Sequence, residues 1–373
     1  MRSSGERSLR SEPQGFGPKI RALLARGVTE GVFPGAVLAV WHEGKSLIEA
    51  FGWRTYLPRP IRTGVDVLYD LASLTKPLAT ALCLMRLVAE DRIRLEDPLS
   101  SLLETPPWLK EAKVFHLLSH SAGLPAHRPY FARLITYPPE QRRTLFLKWT
   151  LREPPAYPLG WKQLYSDLGF FLLGEIISQV SGQGLEEFFD ETLCLLQSEP
   201  TLCFRPLARG FVREESAATE VCDWRGKLLW GEVHDENTWV LGGVAGQAGL
   251  FGSAPAVLSL LTRLLLAYLG EEEKGFLQRD LLRAFWDWKS PAGNWALGFD
   301  RPEQKGSSAG ELISRQAVGH LGFTGTSFWI DPEHHFIIVL LSNRVHPKRL
   351  PNRLAAFRPA LHDLVFRETV QKT

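Results

Sequence analysis

Leu71-Ala72-Ser73-Leu74-Thr75-Lys76 sets a hydroxyl and an amine three residues apart, just ahead of an apolar run. Leu78, Leu82, Met85 and Val88 recur at three- and four-residue intervals. This spacing predicts a helix over residues 78–90, with Ser73 and Lys76 on one face of its first turn. Serine is a poor nucleophile unless a neighbouring base takes its proton, and a lysine desolvated in a cleft can have its pKa lowered enough to do so. A helix start adds unpaired N–H groups and a positive dipole end, both suited to a developing oxyanion. Pro77 falls where a missing N–H costs least. Serine is equally an ordinary helix cap, so this S-x-x-K pattern, which occurs once in the chain, acquires meaning only from its partners.

The chain has 373 residues, 45% hydrophobic and 23% charged, with a formal net charge of +2. That is a globular composition with length for a large core. Lysine and arginine are scattered and not interleaved with aromatics, which argues against a nucleic-acid partner. No run of 18 consecutive apolar residues occurs, so no membrane partner is expected. Residues 1–17 are polar and basic without the apolar centre of a secretory signal, so a cytoplasmic location is expected. Cys83, Cys194, Cys203 and Cys222 lack C-x-x-C spacing and read as reduced thiols. No metal or cofactor is expected.

Residues 1–15 read as a disordered tail, and 18–26 as a short amphipathic helix carrying Ile20, Leu23 and Leu24. Phe33-Pro34-Gly35 is a turn, and the β-rich runs 36–42 and 46–51 flank Glu43-Gly44-Lys45 as an antiparallel hairpin. From residue 96 to 288 the pattern is helical and loop-rich, with apolar helices at 168–180 and 257–269 and no alternating strand. Strands return at 295–299, 317–321, 326–330 and 336–342, the last an unbroken apolar run typical of a buried strand. A helix over 350–366 closes the chain. The expected organisation is a sheet domain from residues 16–95 and 289–373, a mostly helical insertion at 96–288, and a cleft at their seam.

Two further stretches can supply partners for Ser73 and Lys76. Tyr165-Ser166-Asp167 precedes the apolar helix at 168. Tyr165 can relay a proton if its phenol lies near Lys76, because a neighbouring cation lowers a phenol pKa. Asp167 can cap the helix or accept a hydrogen bond from a substrate amide, and an aromatic packing residue followed by a cap is the plain alternative. Gly319-His320-Leu321-Gly322-Phe323-Thr324-Gly325 joins two late strands. Its glycines, Gly322 among them, would let substrate approach the backbone, and the Phe323 N–H would be a second oxyanion donor beside that of Ser73. A plain hairpin turn explains the glycines equally well.

In this order and context the three motifs resemble those of the penicillin-recognising serine hydrolases, a superfamily of serine β-lactamases, D,D-peptidases and related esterases. The resemblance runs from about Phe33 to about Pro347 and is closest to the class C branch, because Tyr165 stands where that branch carries its tyrosine. His116-Leu117-Leu118-Ser119-His120-Ser121-Ala122-Gly123-Leu124-Pro125 and Leu173-Gly174-Glu175-Ile176-Ile177 are similar to two further segments of it. The resemblance implies an α/β (α+β) fold of the β-lactamase/transpeptidase type, an antiparallel sheet flanked by helices plus a helical domain. It also implies an acyl-enzyme mechanism with Ser73, Lys76 and Tyr165 as catalytic residues. Three positions depart from the family pattern: Asp167 for asparagine, His320 for the lysine of the third motif, and Leu321 for its hydroxyl residue. The last two weaken the carboxylate anchor used for penicillins.

Gly231-Glu232-Val233-His234-Asp235-Glu236-Asn237 and Gly242 to Phe251 resemble a segment of a subgroup that includes muropeptide amidases, with Gln247 where that subgroup often has histidine. His234, Asp235 and Glu236 cannot all point one way in a helix or strand, which argues against a metal site. A loop lining the cleft, with His234 or Asn237 reading a polar substrate, is expected; a loop held by Asp and Asn backbone bonds is the alternative. Ser121, in a partial G-x-S-x-G, lacks the strand and the αβ alternation of a nucleophile elbow. The expected function is hydrolysis of a small ester or amide substrate through an acyl-enzyme. A cytoplasmic muropeptide amidase or D,D-peptidase-like enzyme is the specific alternative, and a non-catalytic binding or assembly module the alternative of another class.

Overall fold

The strand Gly35–His42 pairs antiparallel with both Lys45–Thr55 and Phe336–Ser342, so the two ends of the chain meet at the centre of one sheet. In the computed structural model, which describes residues 15–197 and 201–372, that sheet has six strands. Their order is Ile61–Arg62, Lys45–Thr55, Gly35–His42, Phe336–Ser342, Ser327–Asp331 and Val318–Leu321. The tail expected over residues 1–15 lies, up to residue 14, outside the described residues.

Why the central strands read as unbroken apolar runs follows from their two faces. Val37, Ala39 and Trp41 point into one cluster with Ile337, Val339 and Leu341. Ala36, Leu38 and Val40 point into the other, with Ile338 and Leu340. Alternate side chains leave a strand on opposite sides, so a sheet covered on both faces needs apolar residues at every position. The helices Pro18–Thr29 and Leu354–Thr369 cover the second face through Ile20, Leu24, Leu361 and Val365. The helix Ala254–Leu269 lies on the first, against Gly35–His42 and Phe336–Ser342.

The inserted stretch is therefore less uniform than its sequence suggests. Helix Ala254–Leu269 belongs to the sheet layer although it falls within residues 96–288. The same stretch also contains strands. Leu202–Phe204 and Leu250–Gly252 form a small sheet with Tyr69–Asp70, and Ala218–Cys222 pairs with Lys227–Trp230. Each is five residues or fewer, too short for alternation to register. Residues 295–299, expected as a strand, are irregular, because Gly298 takes φ +83° and turns the chain back so that Ala296 N–H donates to the Phe299 carbonyl.

The opening stretch also departs from the expected regular helix. Ala72–Leu74 is a 3₁₀ turn, Lys76–Ala81 is wound as π-helix, and the α-helix proper is Leu82–Ala89. The whole run Ala72–Ala89 is long and apolar enough to cross a membrane, although no single apolar block reaches that length; 78% of it is buried inside the protein, where it forms the central core helix.

Candidate active site

Ser73 is held by a backbone conformation that only strong local bonding sustains. Ala72 has φ +49°, a region that costs a residue with a side chain. The Asp70 carboxylate compensates, accepting from the Ala72 N–H at 2.8 Å and, through its other oxygen, from the His234 N–H at 2.6 Å. Thr75 Oγ1 donates to the Ala72 carbonyl at 2.6 Å and accepts from the Leu250 N–H at 3.1 Å. Asp70 is thus a positioning residue that the sequence offered no motif for, standing three residues before the nucleophile.

Lys76 is completely buried, and its Nζ has three oxygen neighbours. They are Ser73 Oγ at 3.1 Å, Asp167 Oδ1 at 2.8 Å and the Gln247 carbonyl at 3.1 Å. Its ammonium also sits 4.7 Å from the centre of the Tyr165 ring. Burial pushes the Lys76 ammonium downward, but the Asp167 carboxylate and the Tyr165 hydroxyl outweigh it and its pKa is raised. Burial likewise opposes ionisation of Asp167, yet Lys76 and His127 hold that carboxyl below its usual range. The resting cluster is therefore an ammonium–carboxylate pair, with Ser73, Tyr165 and the Gln247 carbonyl as the ammonium's further oxygen contacts. This corrects the expectation of a lysine kept neutral by desolvation.

Tyr165 is likewise corrected in part. Its hydroxyl is in contact with both Ser73 and Lys76, as a proton relay requires. Burial nevertheless pushes the phenol upward, and the nearby cation only partly offsets this. The ring is fixed by His120 at 4.7 Å and Trp295 at 5.5 Å. His120 in turn accepts from the Ser166 N–H at 3.1 Å, so it sets the loop that presents Tyr165. Ser166, not Asp167, caps the following helix Asp167–Ser181, accepting from the Gly169 N–H at 3.2 Å. That leaves the Asp167 carboxylate free to bridge Lys76 and His127, the latter at 3.3 Å. His127 is half-exposed, and this hydrogen bond raises its pKa. Ser121 is buried, bonded to Ser119 Oγ at 2.9 Å, and takes no part in the cavity.

The turn after Val318–Leu321 forms the opposite wall. Thr324 Oγ1 donates to the Asp70 carbonyl at 2.6 Å, and Thr326 Oγ1 to the Leu71 carbonyl at 3.1 Å. These bonds hold the Phe323 backbone beside the Ser73 turn, and both residues line one cavity of about 630 Å³. Gly322 also lines it, but its missing side chain serves the fold. A Cβ there would lie 2.0 Å from Thr326 Oγ1 and 2.7 Å from the Leu71 carbonyl. His320 is buried, with Nδ1 2.8 Å from the Leu321 carbonyl, and burial together with Lys76 pushes its pKa to about 3. The third motif accordingly presents a neutral imidazole to the cavity.

The two readers expected in the 231–237 loop part company. His234 lines the cavity, stacked on Phe323 at 5.5 Å, with Nε2 3.1 Å from Glu220 Oε2. Asn237 does not reach it. Its Oδ1 accepts from the Phe131 N–H at 2.9 Å and its Nδ2 donates to the Arg128 carbonyl at 2.8 Å, so it pins the neighbouring loop instead. Besides Asp70, which is buried beneath the site, the residues that local sequence did not single out include His127, Trp295, Asp300, Arg344 and Arg358, which line the cavity.

Comparison with known proteins gives this arrangement a lineage. A family model described as beta-lactamase matches residues 20–360. A putative D-alanyl-D-alanine carboxypeptidase of Escherichia coli (strain K12) is 30% identical over 326 residues, covering 79% of this chain and 74% of the relative. Its counterpart in Salmonella typhi is 31% identical over 330 residues, covering 80% and 75%. Among solved structures, EstCE1, a hydrolase with promiscuous acyltransferase activity, superposes with a TM-score of 0.71 at 21% identity, over 93% of this chain and 97% of that one. The octameric penicillin-binding protein homologue from Pyrococcus abyssi does so at 0.69 and 21% identity, over 93% and 77%. At those identities the structures speak for the fold alone. With the family model spanning most of the chain, the protein belongs to the beta-lactamase family and is a serine hydrolase.

Proposed function

We propose that this protein hydrolyses a small ester or peptide-type acyl substrate through an acyl-enzyme on Ser73. The observation that carries the reading is the 3.1 Å approach of Lys76 Nζ to Ser73 Oγ inside the cavity. Once one proton leaves the Lys76–Tyr165 cluster, either group can take the serine proton as Oγ attacks the acyl carbonyl. The N–H groups of Ser73 and Phe323 then hold the oxyanion. Protonation of the leaving group by the same cluster, and attack of water, release the acid and restore Ser73.

The named relatives favour a D-alanyl peptide as the amide form of such a substrate, in keeping with cell-wall recycling. Four unpaired cysteines support a reducing, cytoplasmic compartment. Labelling with a fluorophosphonate and a fluorescent penicillin tests the mechanism. A Ser73-dependent adduct with either probe is expected; its absence in protein shown to be folded would end the acyl-enzyme reading. Side-by-side assay of a p-nitrophenyl ester, a D-alanyl-D-alanine peptide and a muropeptide ranks the substrates.

A further inference from the structure

Release of the acyl group from Ser73 requires a group that takes a proton from the attacking water, and the cluster beside Ser73 is badly poised to supply it. Lys76 rests as an ammonium, and burial raises the pKa of the Tyr165 phenol. Most other titratable groups on the cavity wall are occupied or too weakly basic. Burial pushes His320 to about 3, and the Asp167 carboxyl lies below its usual range. Arg349 holds Glu236 at 2.8 Å, His234 Nε2 meets Glu220 at 3.1 Å, and Asp235 accepts from the Thr238 N–H at 2.7 Å. His127 and Asp300 remain.

His127 is half-exposed, with Nδ1 3.3 Å from Asp167 Oδ2. An ionised carboxylate can only accept, so Nδ1 carries the proton and the lone pair of the neutral ring is on Nε2. Among the described residues Nε2 has no hydrogen-bond partner. The loop around His127 is pinned on both sides. Before it, the Asp167 N–H donates to the Ala126 carbonyl at 2.8 Å and Ser166 Oγ to the Pro125 carbonyl at 2.7 Å. After it, the Asn237 amide holds the Arg128 carbonyl and the Phe131 N–H. Because Asp167 Oδ1 accepts from Lys76, the imidazole stands two hydrogen bonds from the ammonium beside Ser73.

Three carboxylates act on His127: Asp167 from the helix Asp167–Ser181, and Asp235 and Glu236 at the start of the helix Glu236–Val240. The Asp167 hydrogen bond above all raises its pKa from the ordinary 6.5, against burial. Adjacent Arg128 is neutralised by Glu153 at 2.9 Å. Asp300 lacks an orienting partner, since among the described residues its carboxyl meets only the N–H of the next residue, Arg301.

We propose that His127 is a catalytic residue, the general base that activates the deacylating water, with Asp167 as its orienting partner. This rests on the reading of Ser73 as nucleophile. Nε2 takes one proton from water as the water oxygen bonds to the acyl carbon. The bond from that carbon to Ser73 Oγ then breaks, Lys76 gives Oγ its proton, and the imidazolium releases its own to solvent. Solvent in turn recharges the Lys76 amine. One carboxylate thus serves both steps, through Oδ1 for Lys76 and through Oδ2 for His127.

Stopped-flow hydrolysis of p-nitrophenyl butyrate separates the steps, because the burst reads acylation and the steady rate reads deacylation. His127→Gln is expected to slow the steady rate by about 100-fold, the smaller end of general-base effects, and to leave the burst rate nearly unchanged. The butyryl adduct on Ser73 should then accumulate in the intact mass of quenched samples. Free imidazole should restore the steady rate without touching the burst, which a structural histidine would not allow. In the parent the steady rate should rise with pH through a value above 6.5, since only the neutral ring is a base, and His127→Gln should lose that limb. His127→Asn, read in the same way, guards against a misplacement particular to glutamine. An equal loss in burst and steady rate, or a loss that imidazole does not relieve, marks a residue that only holds Asp167 and overturns the proposal. An intact steady rate in His127→Gln with a loss in Asp300→Asn overturns it too, and moves the base to Asp300. A burst that survives Ser73→Ala sinks the nucleophile reading itself, whereas a Ser73-dependent burst with undisturbed deacylation in His127→Gln sinks the His127 assignment alone.

Discussion

Lys76 Nζ donates to Asp167 Oδ1 at 2.8 Å, so the amine meant to activate Ser73 is tied to a carboxylate at the position where the motif it resembles has asparagine. The pair stabilises the ammonium, and an ammonium has no lone pair for the serine proton. Activity should therefore rise with pH as that proton is lost. Asp167→Asn keeps the volume and removes the charge. We expect its rising limb of kcat/KM against pH to shift toward acid by roughly one to three units, the range for loss of an opposite charge at contact distance. An unmoved limb would separate Asp167 from the titration of Lys76.

The turn that carries Phe323 offers a test of geometry without a change of charge. Gly322→Ala would place a Cβ 2.7 Å from the Leu71 carbonyl and 2.0 Å from Thr326 Oγ1, both too close for real contacts. Either the turn or the Ser73 segment must shift, and a misplacement near 1 Å can cost about 100-fold in rate. The variant should lose about 1–3 kcal/mol of stability as an overpacked site does, with a larger relative loss in kcat than in KM. Denaturant melts and steady-state kinetics on one preparation check both.

The legible part of this molecule was what chemistry fixes locally. Ser73, Lys76 and Tyr165 meet because each sits at a helix start or in the loop before one, and caps and apolar periods mark those places. The unbroken apolar run at residues 336–342 announced a buried strand, and the β-rich runs around Glu43-Gly44-Lys45 announced the hairpin beside it. What stayed hidden depends on tertiary partners. Asp167 reads as a cap until Ser166 is seen to take that role, and Asn237 reads as a substrate contact until Phe131 and Arg128 are seen to use both ends of its amide. Arg344 and Arg358 belong to segments with no motif, and only folding shows that they line the cavity.

Leu321 gives a way to probe the altered third motif from the substrate side. It lines the cavity at the position where the third motif it resembles has a hydroxyl residue. Leu321→Thr restores a donor for a substrate carboxylate while changing little else in the strand, since threonine suits a pleated backbone. A hydrogen bond to a charged group contributes about 1.5–3 kcal/mol, so acylation by a fluorescent penicillin should quicken by about 10- to 100-fold. If labelling stays at the parent rate, the loss of the hydroxyl is not what separates this site from its penicillin-reactive relatives.

Asp300 carries the last prediction, because burial raises its pKa to about 7 on the cavity wall. Its carboxyl bonds with the Arg301 N–H at 2.8 Å and finds no cation among the described residues. In the unfolded chain the group titrates near 3.9. Between about pH 4 and pH 7 the unfolded state therefore gives up its proton while the folded state keeps it. The folded state binds more protons, and stability falls as pH rises through this window. Asp300→Asn removes the ionisation and keeps the shape, so its advantage over the parent should grow from pH 4 to pH 7 and level off above that. Its ceiling is about 4 kcal/mol, from three units at about 1.4 kcal/mol each. Melting curves of the two proteins at pH 5, 6.5 and 8 decide the matter: parallel pH dependences would mean that Asp300 is ionised in the native protein.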